Sequence, residues 1–312
     1  MASASREGLY TQITSRIVAE LEAGTVPWVQ PWASAAAPPG LPRNAATGRP
    51  YSGINILLLW AAAMDHGFPA QRWLTFRQAM QLGGNVRKGA HGTMVVFADR
   101  FVPERERERA RASGGEPVPV PFLKRFTLFN VAQCEGLPPD AGALSEGGAP
   151  PAPRLDLILP RIGALIAASG ARLRIGGDCA FYAPIDDLVM VPPPEAFFDS
   201  VNWHRTALHE LAHWTGHKSR LDRDQRGPFG SAGYAREELV AEMAGAFLCA
   251  ALGIEPTVRH ADYLASWLAV LRQDSRAIVR AASAASRAAA FLLAFDVQGA
   301  GAGAEEEEAG GP

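Results

Sequence analysis

The segment His209-Glu210-Leu211-Ala212-His213 constrains this chain more than any other stretch, because on a helix its two imidazoles stand one turn apart on a single face. That spacing suits two nitrogen donors on one zinc ion. Four of the seven histidines fall between His204 and His217. The surrounding residues read as a helix over 201–215, with Ser200 as its N-cap and Gly216 placed to stop it in a left-handed conformation. Its mostly apolar stripe, Leu208, Leu211, Ala212 and Thr215, is offset from the histidine face, so one side can enter a core while the imidazoles face a cleft.

A catalytic zinc takes a third protein ligand and keeps a fourth position for water. The metzincin pattern would place a histidine at position 219, where the chain has Ser219. A second helix is expected over 234–252, closed by Gly253, and it carries Glu238 and Glu242 four residues apart on one face. This helix resembles the ExxxD helix of thermolysin-like gluzincins. The resemblance implies Glu238 as the third ligand and Glu242 as the carboxylate that orients a ligating imidazole, with Glu242 as ligand the rival assignment. Glu210 is then the general base acting on a water that the metal acidifies. His204 and His217 are expected in structural or supporting roles, and Glu237 on the surface.

A chain of 312 residues with 48% hydrophobic content suits two globular domains, each with its own core. The N-terminus lacks the pattern of a secretion signal, and the most apolar run, Ile56 to Met64, is too short to span a bilayer. A soluble cytoplasmic protein with no membrane partner is expected. Cys134, Cys179 and Cys249 lack CxxC spacing, which argues against a disulfide framework or a second zinc site and for buried thiols. The net charge of −2 conceals an asymmetry. Residues 1–130 hold fifteen Lys/Arg against nine Asp/Glu, a net of +6, and the remainder is at −8. The first half is therefore the candidate for a polyanionic partner.

Periodicity predicts helices over 9–22, 56–64 and from Trp73 to about Gly83, and strands over 93–102 and 122–131. The Glu/Arg run between those strands, 103–121, reads as an exposed hairpin insertion. Gly/Pro/Ala-rich residues 136–153 read as a linker between a first domain, 6–135, and a second, 154–297. The second is expected to hold a helix near 158–168, strands near 172–175, 180–182 and 188–191, the two metal-site helices and a long Ala-rich helical region over 261–295. The Gly/Ala/Glu tail, 298–312, is expected to be disordered.

Trp28 with Pro31-Trp32, Asn44, Tyr51-x-Gly53-x-Asn55, Trp73-Leu74-Thr75-Phe76-x-Gln78-Ala79 and Gly84-x-Val86-Arg87-Lys88-Gly89 resemble, in order and spacing, the N-terminal domain of ArdC-type antirestriction proteins. Downstream, Ala180-Phe181-Tyr182 with Asp187, the 209–217 segment, Arg220-Leu221 and 237–242 resemble that family's zincin-like metallopeptidase domain. The resemblance implies an α+β, two-domain protein of mobile elements that binds single-stranded DNA and protects entering DNA from restriction. Single-strand binding needs ring faces for bases and cations for phosphates. Trp28, Trp32, Tyr51 and Trp73 are the candidate platforms, with Arg49, Arg72, Arg87 and Lys88 as candidate phosphate contacts; the tryptophans could equally be core. Two other readings stay open: a regulatory zinc protease whose partner is a protein, such as a repressor or a restriction enzyme, and a DNA-binding protein whose zinc is structural.

Overall fold

A computed structural model of the chain describes residues 4–29, 40–142, 154–228, 230–257 and 263–296. Helix α1 (Ala4–Glu22) buries Leu9, Ile13, Ile17 and Leu21, a four-residue repeat that lines one face. After β1 (Arg43–Asn44), the most apolar run forms α2 (Ile54–Asp65), buried almost all round. Gly53 caps α2 at φ 62, a conformation that favours glycine, and its N–H donates to Ser286 Oγ at 2.7 Å.

Trp73 and Leu74, expected to open a helix, instead lie in strand β2 (Arg72–Leu74) opposite Asn130 and Phe129. The helix α3 (Phe76–Gln81) starts after Thr75, which forms a capping box with Gln78. Short β3 (Asn85–Val86) leads into β4 (Thr93–Phe101), then α4 (Glu104–Ser113) and β5 (Val120–Asn130). The expected insertion thus contains a helix, supported by Glu104–Arg107 and Glu106–Arg109 pairs and closed by Gly114 at φ 67. Alternating Glu and Arg give no apolar stripe, which is why periodicity did not reveal it. Strand β6 (Cys134–Glu135) and α5 (Pro139–Gly142) complete this part.

The long pair β4 and β5 is antiparallel, from Thr93 opposite Leu128 to Phe101 opposite Val120, and the sheet runs β1-β2-β5-β4. Asn55 of α2 fixes β4 to the helix: its amide donates to the Val96 carbonyl at 2.7 Å and its oxygen accepts from the Val96 N–H at 2.9 Å.

Beyond residue 153 come α6 (Leu155–Ala168), β7 (Arg172–Ile175), β8 (Phe181–Ala183), β9 (Leu188–Val191), α7 (Ser200–Trp214), α8 (Ala232–Leu252), α9 (Leu264–Gln273) and α10 (Ala277–Leu293). The expected single Ala-rich region is two helices, separated at residues 274–276. Strand β9 lies between β7, parallel to it, and β8, antiparallel to it, which makes β8 an edge strand.

One buried cluster joins the two parts, running from α1 and α2 through α8 to α9 and α10. Trp28, expected as a stacking platform, is fully buried with its ring 5.5 Å from Trp267. Trp73 is also fully buried, edge-on to Phe68 at 5.7 Å. Neither ring can offer a face to a base. Trp32 and the 298–312 tail lie outside the described residues. Cys134 and Cys249 are buried as expected, whereas Cys179 is exposed. Among the described residues no helix is long and apolar enough to cross a membrane.

Candidate metal centre and nucleic-acid interface

Helix α7 is capped by Asp199, whose carboxylate accepts the Asn202 N–H, one residue before the cap expected at Ser200. Gly216 does not end it in a left-handed turn; Thr215 holds the C-cap in helical conformation. A Cβ there would lie 2.6 Å from the Gln225 amide and 2.8 Å from the Arg223 guanidinium, so any larger residue would make those two side chains shift.

Helix α8, capped by Ser231 and closed by Gly253 at φ 81, packs along α7 and brings three carboxylates to the two imidazoles. Glu238 lies between them, with one oxygen 3.6 Å from His209 Nε2 and the other 3.5 Å from His213 Nε2. Each ring turns its other nitrogen outward: His209 Nδ1 is 4.0 Å from Glu242, and His213 Nδ1 is 3.3 Å from Glu237. Ligand atoms of His209, His213 and Glu238 all lie within 4.8 Å of one another, and all three residues are buried. Donors about 2.1 Å from a tetrahedral ion are roughly 3.4 Å apart, close to the spacing of Glu238 from both rings. The residues therefore fit a divalent ion. In this geometry Glu238 faces both Nε2 atoms and Glu242 stands behind His209.

Glu237 is not the surface residue it was expected to be. It is buried, accepts from Arg223 at 2.7 Å and Gln225 at 3.1 Å, and holds the Nδ1 side of His213. Arg223 also donates to the Ala212 carbonyl and Thr215 Oγ, so the loop after α7 is fastened to the back of the site. Burial alone would push the His213 imidazole down, but hydrogen bonds and charge from Glu237 and Glu238 outweigh it and raise its pKa to about 10. Burial opposes ionisation of Glu237 and Glu238 as well. For Glu238 the two imidazoles overcome it, and for Glu237 His213 and Arg223 do, so both carboxyls titrate below their usual range.

The cluster opens into a cavity of about 310 Å³ whose lining includes Glu210, Phe181, Tyr182, Gln225 and Tyr234. Tyr234 Oη lies 3.1 Å from Tyr263 Oη, and burial followed by that hydrogen bond raises its pKa. His204 and His217 stand away from the cluster, bonded by Nδ1 to the Ser200 carbonyl and to Ser219 Oγ. Beside the site Arg220 lies over the Trp214 ring at 3.9 Å and pairs with Asp187, which also accepts from Tyr182.

In the first half, Arg49, Arg87 and Lys88 are exposed, while Arg72 and Tyr51 are half-buried. Tyr51 Oη accepts from Asn44 Nδ2, which also donates to Gln78, so the quoted motif residues Asn44, Tyr51, Thr75 and Gln78 form one hydrogen-bonded group. Within the described residues, Arg43, Arg49, Arg72, Arg77, Arg87 and Lys88 make no ion pair with a carboxylate, whereas Arg107, Arg109, Arg161, Arg220 and Arg223 do. The exposed rings are phenylalanines that the sequence reading passed over: Phe76, Phe97, Phe101 and Phe126. Strand alternation gave no means of telling which phenylalanines face solvent.

Comparison with known proteins agrees with this division. Residues 7–129 match the N-terminal domain of anti-restriction factor ArdC, and residues 160–284 match the zincin-like metallopeptidase family. The fold and site thus define a zincin-like protein with an ArdC-type N-terminal domain. A crystal structure of the metal-free antirestriction ArdC protein from the R388 plasmid superposes with a TM-score of 0.76 at 38% identity, over 93% of this chain and 98% of that one. Its Mn(II)-bound form superposes at 0.73 with 37% identity. The uncharacterized protein y4eC of Sinorhizobium fredii is 40% identical over 92% of each chain. The chain belongs to the ArdC antirestriction family. It is also 38% identical to Escherichia coli DNA primase TraC over 304 residues, but spans only 27% of that protein's length.

Proposed function

We propose that this protein binds single-stranded DNA through its first half, protecting DNA that enters a cell from restriction, and holds a divalent metal between His209, His213 and Glu238 in its second. The observation that carries the DNA reading is the set of exposed first-half cations, Arg43, Arg49, Arg77, Arg87 and Lys88, that pair with no carboxylate among the described residues. Phosphates are the partner such a set of exposed cations fits. A cytoplasmic setting follows from that role. The relation to a DNA primase over most of this chain supports a DNA-handling role; primer synthesis belongs to TraC and is not carried over.

For the metal, two imidazoles and one carboxylate are a donor set typical of catalytic zinc, which makes Zn²⁺ the proposed occupant, while the Mn(II)-bound relative points to a site of broader tolerance. Such an ion would act as a Lewis acid, polarising a carbonyl and acidifying water. The chain's own residues do the rest. Glu237 holds the outer nitrogen of His213, Glu242 stands 4.0 Å behind that of His209, Glu238 completes the donor set, and Glu210 lines the cavity, where its carboxylate could take a proton.

A second reading, a zinc protease acting on a protein partner, is favoured by one observation. Edge strand β8 lines the same cavity as Glu210, so an extended peptide could pair with it beside the metal donors. Titration of the full-length protein with single-stranded and duplex DNA at low and moderate salt tests the leading reading. Tighter, salt-sensitive binding to the single strand is expected; no binding to either transfers weight to the protease reading.

A further inference from the structure

We propose that Tyr234 donates the hydrogen bond that holds an oxygen atom of the ligand taken up beside His209, His213 and Glu238. The proposal rests on the metal reading above and names the chemistry of that ligand: a carbonyl, carboxylate or hydroxamate, which carries an acceptor for the phenol proton.

Such an oxygen needs a donor, and among the described residues most of the polar side chains lining the cavity have none to give. Glu210, Glu237 and Glu238 offer carboxylate oxygens, which accept. The imidazoles turn Nε2 to Glu238 and Nδ1 to Glu242 and Glu237. Gln225 spends its amide N–H groups on the His213 carbonyl at 2.7 Å and on Glu237 at 3.1 Å. Tyr182 gives its proton to Asp187 at 2.8 Å.

Tyr234 differs, because the groups around its hydroxyl belong to the site. It stands four residues before Glu238, one turn away on the same face of α8. Ser231 fixes that turn by accepting the Tyr234 N–H at 3.2 Å. The Tyr234 and Tyr263 hydroxyls are 3.1 Å apart, and the direction of the bond between them decides what Tyr234 does. With Tyr263 donating, the Tyr234 proton turns toward Glu238 and the cavity. Burial first, then the Tyr263 hydroxyl and the Glu238 charge, hold the phenol well above its usual range, so it keeps that proton. As a metal donor Glu238 shares its charge with the ion, and an oxygen of the ligand becomes the better acceptor. Tyr263 is the positioning residue. Its ring stacks at 6.4 Å on Trp267, which is fully buried against Trp28, so the pair of tyrosines is anchored in the core that joins the two halves.

The test uses the full chain loaded with Co(II), whose visible absorption reports ligands arriving at the metal. Two probes are compared: acetohydroxamate, which brings oxygen acceptors, and ethanethiol, which binds through sulfur. Tyr234→Phe keeps the ring and removes the proton. It should weaken acetohydroxamate binding by about tenfold, as expected for losing a hydrogen bond to a charged acceptor, while ethanethiol binding and cobalt affinity stay within about twofold. Tyr263→Phe should weaken acetohydroxamate by a smaller factor, about threefold. Unchanged acetohydroxamate binding in Tyr234→Phe overturns the proposal, and so does an equal loss of both probes, which would make the tyrosine a wall of the cavity. Wild type that holds cobalt but takes up no acetohydroxamate overturns it with the metal reading intact; wild type that holds no cobalt ends both. Should Tyr234→Phe fail to fold, a crystal structure of wild type with cobalt and acetohydroxamate decides. A hydroxamate oxygen within about 3.2 Å of Tyr234 Oη upholds the assignment, and one beyond about 4 Å overturns it.

Discussion

Trp60 of α2 lies edge-on against Phe247 of α8, ring centroids 5.7 Å apart, so the first half of the chain packs directly on the helix that carries Glu237, Glu238 and Glu242. Thr14 of α1 donates to the Ser275 carbonyl and Gly53 to Ser286, which adds two hydrogen bonds to the same seam. Phe247→Ala should therefore cost about 3–5 kcal/mol and lower the unfolding midpoint of the whole chain, not of the second half alone. Denaturation followed at once by far-ultraviolet circular dichroism and by metal release measures this; two separated transitions in wild type would show that the seam does not couple the halves.

Glu237→Ala should weaken metal binding by about 10- to 100-fold, because His213 loses the acceptor that fixes its ring and Arg223 loses its partner. Glu242→Ala should have a similar effect through His209, while Glu238→Ala, which removes a donor outright, should be the most severe of the three. Competition with a chromogenic chelator ranks them. Glu242→Ala losing metal more completely than Glu238→Ala would reverse the assignment of ligand and support.

The metal-free site stores a proton. His213, raised to about 10, is charged at neutral pH beside Glu237 and Glu238, and a metal ion must expel that proton to bind. Apparent affinity should therefore rise by up to about tenfold per pH unit between pH 6.5 and 8.5. For the metal-free protein the sign is opposite: since the folded pKa lies above the free imidazole value, the contribution of His213 to stability is complete below about pH 6.5 and is lost as pH rises toward 10. Affinity independent of pH over this range would contradict a charged His213.

Glu210→Gln should keep its metal, since Glu210 is outside the donor cluster, and should abolish any hydrolysis at the site. If that variant still protects DNA while His213→Ala does not, the metal serves structure and the peptidase reading falls.

Much of this architecture is legible from residues whose spacing is periodic. Leu9, Ile13, Ile17 and Leu21 mark α1, the alternation in 93–101 marks β4, and the 209–213 and 238–242 spacings place the histidines and glutamates on facing helices. What stayed hidden depends on contacts between distant segments. Nothing local distinguishes Glu237 from a surface glutamate until Arg223 and Gln225 fold over it. Trp28 and Trp73 carry the same side chain whether they stack on a base or on Trp267 and Phe68. Helix α4 has no apolar stripe, only Glu/Arg pairs three residues apart.

The most direct test of the account is protection in a restricting host. Unmodified DNA should be delivered as a single strand by conjugation and as duplex by transformation, into cells expressing wild-type protein or the Arg87→Ala/Lys88→Ala variant. The account predicts more survivors for wild type on single-strand entry, little gain on duplex entry, and loss of that gain in the double variant. Equal protection of both forms, or full protection by the double variant, would contradict it.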